Sequence, residues 1–461
     1  MSRYNLKIGV LEKELDVCNE TSARNSGVLH AGFNNKPGTL MAKFCVEGNQ
    51  GFDQIAKELG VPFKRCGKLV VGFSEEDKEK LIAMKEQGEK NGVKGLEIIG
   101  KDKIKEIEPN IDGEFAMWSK TTGILNPFLL TIALAENAAA NGAEYYFGNE
   151  VIDIKRVDDI YNIKTKKDTY KTRWVVNAAG LYSDKVSKML GIDDYTIHPC
   201  RGEYFILDEK VGSKLSLPAY PVPNPEEGGL GIHLTPTIDG NVFIGPSSEY
   251  IDERDDYSAT QKIMDLLIKD GGRIFPHIRR EDFIRNFAGI RPKLASKEEG
   301  GYHDFVIEMR DKSPNTINLV GIESPGLTSS TPIAKYVVSL LKQKEELTEN
   351  ENFNPIRKPI VTFNDKSVEE KEALIKENPD YGEVICRCQT ITKAEILEAI
   401  NNPLGVETLT GIKYRCRAMM GRCQGGYCET RIAGLLEEVK HLYLIPRSEE
   451  HTSELQSRIT I

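Results

Sequence analysis

The placement of the cysteines constrains this chain more than any other feature. Cys18, Cys45, Cys66 and Cys200 are scattered, whereas Cys386, Cys388, Cys416, Cys423 and Cys428 crowd into one stretch near the C-terminal end. No basic-then-apolar leader opens the sequence, since Met1–Val10 runs straight into a strand, so a secreted disulfide scaffold is excluded. In a reducing compartment a dense thiol group points to a metal site. Cys386-Arg-Cys388 followed by Cys423-Gln-Gly-Gly-Tyr-Cys428 gives two short-spaced pairs on separate loops, which bring four sulfurs together at little loop-closure cost. Zinc competes for a four-thiolate site, but C-x-C with C-x4-C is unlike the C-x2-C zinc ribbons and favours a [2Fe–2S] cluster. Lys413, Arg415, Arg417 and Arg422 would offset its charge. Cys416 falls outside both pairs and reads as an incidental thiol.

The remainder is ordinary soluble protein. The 461 residues suffice for about three folding units. A formal charge of −9 argues against a nucleic-acid binder, and no apolar run is long enough to span a bilayer. Periodicity predicts a strand at Leu6–Leu11, a helix over Leu40–Leu59, a strand at Lys68–Phe73 and a charged helix over Glu75–Asn91. Asn126-Pro127 should cap a helix running to Asn141, with strands following at Glu150–Lys155 and from Arg173 to Ala178. This alternation reads as a parallel α/β sheet. The Pro- and Gly-rich middle, about 195–291, reads as an antiparallel layer. A strand at Thr316–Val320, a turn over Gly321–Thr331 and a helix from Pro332 to Lys342 return to the α/β pattern.

The expected organisation is therefore a large α/β unit over 1–345, with a substrate subdomain at about 55–122 and 195–290. A linker with one docked helix follows at 346–380, then a cysteine domain at 381–443. Residues 447–461 are polar and aperiodic, and read as a non-native tail. A dinucleotide-binding unit normally opens with a strand, a Gly-rich turn and a helix before the acidic-ended second strand. Leu6–Glu12 looks like that second strand, so the first βα unit is expected to be missing and dinucleotide binding by this chain to be poor.

Several ordered motifs carry a resemblance. Asn25-Ser-Gly-Val-Leu-His-Ala-Gly32, Lys36-Pro-Gly38, Cys66-Gly-Lys-Leu69, Asn177-Ala-Ala-Gly180, Arg201-Gly-Glu203, His233-Leu-Thr-Pro236, Gly289-Ile-Arg-Pro292 and Gly321-Ile-Glu-Ser-Pro-Gly-Leu327 match in order. Together they resemble the glycerol-3-phosphate dehydrogenase and L-2-hydroxyglutarate dehydrogenase branch of the D-amino-acid-oxidase-like flavoproteins. Residues 381–432 resemble the bacterioferritin-associated-ferredoxin type of [2Fe–2S] domain. The resemblance implies a Rossmann-like FAD-binding domain, an antiparallel α+β substrate domain and a small C-terminal [2Fe–2S] domain.

Physical chemistry gives these positions roles. Glu12 ends a strand, where a carboxylate can accept from a ribose diol, although alone it reads as a turn glutamate. Gly180 lets backbone approach a cofactor. Gly326 and Leu327, ahead of a helix, offer N–H groups to the flavin's N1/O2 edge, where charge develops on reduction. The resemblance adds Ser26, Gly27 and Val151 to the FAD-binding set and makes His30 the candidate general base. His233 competes for that role or holds the substrate. Arg291 suits a phosphate or carboxylate, with Arg201 a weaker second ligand that could instead pair with Glu203.

The function this implies is FAD-dependent oxidation of sn-glycerol 3-phosphate to dihydroxyacetone phosphate. Electrons then pass from flavin to a [2Fe–2S] cluster and on to an acceptor, either a flavin or iron–sulfur subunit or a quinone. L-2-hydroxyglutarate is the alternative substrate. A non-catalytic iron–sulfur electron-transfer or docking subunit is the alternative of another class. The expected location is the cytoplasm, with association at the inner membrane face through a partner, and no nucleic acid is expected.

Overall fold

A computed structural model describes residues 1–223 and 231–440. The tail expected at 447–461, and the last residues of the expected 381–443 unit, lie outside the described residues.

Elements form where the periodicity places them. The helix Leu40–Leu59 is capped by Thr39, whose hydroxyl accepts from the Ala42 amide, and buries Met41, Phe44, Cys45, Gly48 and Phe52. The helix Pro127–Ala140 starts on Asn126, whose side chain accepts from the Leu129 amide, with proline in the first turn. The parallel pairing is confined to short pieces. Ile8–Leu11 lies parallel to Ala143–Tyr146, and Val175–Asn177 lies parallel to Ser313–Val320. A nine-stranded sheet makes up the other layer. It joins strands at 68–72, 96–100 and 115–119 to those of the Pro/Gly-rich middle, so the two stretches read as one substrate subdomain share one sheet. That sheet is antiparallel except where Ala219–Pro221 runs parallel to Lys68–Gly72.

One boundary differs from expectation and bears on the site. The last long helix of this unit begins at Gly326, not near Pro332, and Pro332 lies inside it. Proline has no N–H to give the carbonyl one turn back, so Thr328 loses its intrahelical donor. That carbonyl instead packs on Gly48, where a Cβ would lie 2.0 Å from the Thr328 oxygen.

The stretch expected to be a linker runs as a strap. Glu349 bridges to Tyr4, the Asn354 carbonyl accepts from Asn137 and Asn141, and Arg357 pairs with Glu136. The docked helix is Val368–Glu377, closed by a Ser367/Glu370 capping box. The cysteine unit then builds its own core from Ile385, Ile396, Ile400, Ile412 and Ile432. Among the described residues no helix is long and apolar enough to cross a membrane.

Candidate active site and cysteine centre

A cavity of about 1400 Å³ opens between the 24–35 loop, the start of the 326–341 helix and the large sheet. Pockets for one small molecule span roughly 300–1,000 Å³. This one has room for a dinucleotide and a small substrate together. Ser26, His30, Gly180, His233, Arg291, Gly326 and Leu327 all line it.

His30 is held through its backbone. Its amide donates to Thr328 Oγ1 at 3.1 Å, and its carbonyl accepts from Asn49 Nδ2 at 3.0 Å. Burial and the neighbouring Lys68 push its imidazole pKa down to about 3, so the ring is neutral at physiological pH and can accept a proton. His233 is 3% exposed and stacks on the Tyr220 ring, with centroids 3.6 Å apart. Its Nδ1 lies 2.9 Å from the Gly231 carbonyl, which requires a proton there and leaves Nε2 as a bare acceptor. That Nε2 is buried and has no partner among the described residues. A ligand hydroxyl would satisfy it.

Arg291 and Arg201 separate cleanly. Their strands pair with Cys200 opposite Arg291 and Arg201 opposite Ile290. Directly opposed residues share a face and successive residues alternate, so the two guanidiniums leave opposite faces of the sheet. Arg201 is 5% exposed, outside the cavity lining, and engaged by Glu249, Asp256 and Ser258. Its charge is already matched. Arg291 meets carbonyls only, those of Cys200 at 3.4 Å, Arg201 at 3.3 Å and Ser247 at 2.7 Å. No carboxylate forms an ion pair with it among the described residues, which leaves a positioned cation in the cavity wall. Gly202 makes room for it, since a Cβ there would come within 2.9 Å of Arg291 Nη2.

The candidate cofactor positions fall into two groups. Gly180 has φ +51° and open space around it, so the backbone conformation requires glycine. In the 326–341 helix the Gly326 amide donates to Glu323 O (2.6 Å) and the Ser329 amide to Pro325 O (3.0 Å). Leu327 and Thr328 thus carry the open first-turn amides at the cavity wall, an electropositive end suited to the flavin's N1/O2 edge. Glu12 and Val151 instead lie off this cavity, near each other through the Asn149 amide, which donates to the Glu12 carbonyl at 2.8 Å. The Glu12 carboxylate accepts from the Glu14 amide, and burial raises its pKa. Gly27 packs against Leu125 rather than facing the cavity.

Lys68 escaped sequence reasoning. It is 1% exposed, its Nζ has no hydrogen-bond partner among the described residues, and it sits 3.4 Å from the Tyr220 ring centroid and 4.9 Å from that of Phe33. Burial lowers its pKa to about 7. Lys293, which also lines the cavity, is by contrast paired with Glu323 at 3.0 Å.

At the cysteine centre, Cys386 Sγ lies 3.9 Å from Cys388 Sγ, and Cys388 Sγ lies 3.7 Å from Cys423 Sγ. Cys428 bonds to Cys386 through sulfur, which raises the Cys386 pKa and lowers that of Cys428. Four convergent thiols are the donor set a [2Fe–2S] cluster uses. Cys416 is buried, bonds to the Ile412 carbonyl and stands apart from them.

Comparison with known proteins agrees with this division. Residues 1–340 match the FAD dependent oxidoreductase family, and residues 384–438 match the BFD-like [2Fe-2S] binding domain. A glycerol 3-phosphate dehydrogenase of Caloramator mitchellensis is 41% identical, over 95% of this chain and 90% of that protein. An L-2-hydroxyglutarate dehydrogenase of Indibacter alkaliphilus is 32% identical, over 71% of this chain and 90% of its own length. Among solved structures, the FAD-bound L-alpha-glycerophosphate oxidase of Mycoplasma pneumoniae superposes with a TM-score of 0.72 at 28% identity. It covers 77% of this chain and 93% of its own. With its flavin-sized cavity and four-thiolate centre, the chain belongs to the FAD-dependent oxidoreductase family and carries a C-terminal BFD-like [2Fe–2S]-binding domain.

Proposed function

We propose that this protein oxidises sn-glycerol 3-phosphate to dihydroxyacetone phosphate. The observation that carries the reading is Arg291: a half-buried guanidinium with no carboxylate partner among the described residues, in the same cavity as two neutral imidazoles and an open helix N-terminus. It binds the phosphate and so points the secondary alcohol inward. His30 takes the hydroxyl proton, and His233 Nε2 holds the substrate from the sheet side. Leu327 and Thr328 present amides where negative charge develops, and Ser26 and Gly180 complete the cofactor wall. Glu12 and Val151, off the cavity, support the cofactor's distal part, and Gly27 holds the Ser26 loop against Leu125. Bound FAD supplies a two-electron acceptor, and a [2Fe–2S] centre on Cys386, Cys388, Cys423 and Cys428 supplies one-electron carriage to a flavin or iron–sulfur subunit or a quinone.

An anionic substrate also acts on the base. Phosphate held by Arg291 adds negative charge to the cavity that His30 also lines, so the basicity of His30 rises on binding. The flavin unit spans 1–345 and the cluster unit 381–443, in a cytoplasmic enzyme that reaches the inner membrane face through its acceptor. The test is anaerobic bleaching of the FAD-loaded chain, with glycerol 3-phosphate and L-2-hydroxyglutarate offered separately. Bleaching by the phosphate ester is expected. Bleaching by L-2-hydroxyglutarate alone would reassign the substrate.

A further inference from the structure

The cluster unit is fastened to the flavin unit by buried charge. Arg415, in the helix Leu409–Cys416, is 3% exposed overall and donates to both oxygens of Asp16, at 2.6 and 3.0 Å. Its Nε donates to Glu136 Oε1 at 3.2 Å, and Glu136 Oε2 accepts from Arg357 of the strap at 2.6 Å. Asp16 is 2% exposed and Glu136 6%. Beside this group Tyr414 stacks on Phe128, with centroids 4.3 Å apart and planes 2° from parallel. At the rim, Gln389 reaches Glu209 at 2.8 Å and Arg285 reaches Gln424 at 3.0 Å.

The two segments that carry these carboxylates form part of the cavity wall. Val17, next to Asp16, lines the cavity, as do Thr131, Leu134 and Ala135 of the helix that carries Glu136. Buried ion pairs hold two surfaces together no better than apolar packing of equal volume, because each charge must leave water. What a bidentate arginine–carboxylate pair adds is a fixed angle and register. Gly411 tightens the fit, since a Cβ there would lie 2.5 Å from Asp16 Oδ2.

We infer that Arg415 is a positioning residue for internal electron transfer: its hold on Asp16 and Glu136 sets the distance from the flavin cavity to the four-cysteine centre. This rests on the reading of a flavin and a [2Fe–2S] cluster in one chain. The substrate gives two electrons to FAD, and one moves to the cluster. The second follows after a one-electron acceptor has reoxidised the cluster.

The test uses full-length Arg415→Met, and Gly411→Ala in case the first variant folds poorly. Hydrogen exchange in the peptides covering 409–416 and 127–140 is read on the purified chain. Anaerobic stopped flow then separates flavin bleaching by glycerol 3-phosphate from cluster reduction. Exchange at both helices is expected to rise tenfold or more, bleaching to stay within threefold, and cluster reduction to slow at least tenfold. Unchanged exchange, or cluster reduction at the wild-type rate despite faster exchange, overturns the assignment. A wild-type flavin that the substrate does not bleach overturns the functional reading instead, and the exchange result still judges the clamp.

Discussion

Replacing Gly48 by alanine tests how the site's geometry is built. The added Cβ would stand 2.0 Å from the Thr328 carbonyl oxygen, and ordinary contacts begin near 3.4 Å, so the 326–341 helix must retreat by about 1.4 Å or the 40–59 helix must bend. Both carbonyl and Cβ are backbone-fixed, so no rotamer relieves the clash. Alanine in mid-helix returns about 1 kcal/mol of propensity, against an overpacking cost of roughly 1–3 kcal/mol. Net stability should therefore fall by no more than about 2 kcal/mol. Function should fall further, because Leu327 and Thr328 move with the helix and Thr328 Oγ1 holds the His30 amide. Misplacement by about 1 Å costs on the order of 10²-fold in rate. Thermal unfolding, fluorescence titration of FAD and steady-state kinetics on one preparation separate the effects. The expectation is a small stability loss, about tenfold weaker FAD binding and turnover reduced by about 10²-fold. A variant that is more stable, as propensity alone would make it, with unchanged FAD affinity and turnover, would refute the reasoning.

Three further perturbations probe single side chains. Arg291→Ala removes a desolvated anion ligand worth about 2–5 kcal/mol, so KM should rise roughly 30-fold or more with kcat less affected, and an unchanged KM would remove Arg291 from the anion site. His30→Asn should lower kcat by about 10²–10⁴ with a small change in KM, whereas intact turnover would pass the proton-acceptor role to His233. Lys68 carries a folded-state pKa near 7 against 10.5 when unfolded. Between those values the unfolded chain binds the extra proton, so this group's contribution makes wild-type stability rise with pH from about 7 to 10.5. Lys68→Met should abolish that slope and stabilise the protein most at and below pH 7. A chemical-denaturation series across pH in which the two proteins keep a constant difference would contradict the burial of an unpaired ammonium.

What was legible in the sequence was whatever local chemistry carries by itself. Two cysteine pairs at short spacing announce a four-thiolate centre, and Asn126-Pro127 announces a helix start. His30 and Arg291 stood out because a glycine-rich loop and an apolar strand are unusual settings for them. Lys68 was invisible because a lysine opening a strand normally reaches solvent; only the arrival of Tyr220 and Phe33 from distant segments buries it. Arg201 read as a weaker second anion ligand beside Arg291 until the strand register placed them on opposite faces. The helix start at Gly326 was missed because proline reads as a first-turn residue, and its tolerance at position 332 depends on Gly48, far away in sequence. The strap looked like a linker because its backbone partners another segment's side chains rather than a core of its own.

The central claim, that an organic and an inorganic redox centre share this polypeptide, meets its most direct test in cofactor analysis of the full chain purified without oxygen. The account predicts that the chain, once supplied with FAD, iron and sulfide, holds iron and acid-labile sulfide in equal amounts and shows a visible spectrum that sums a flavin band and a [2Fe–2S] envelope. Zinc in place of iron, or a colourless protein that takes up neither FAD nor iron and sulfide on reconstitution, would contradict it.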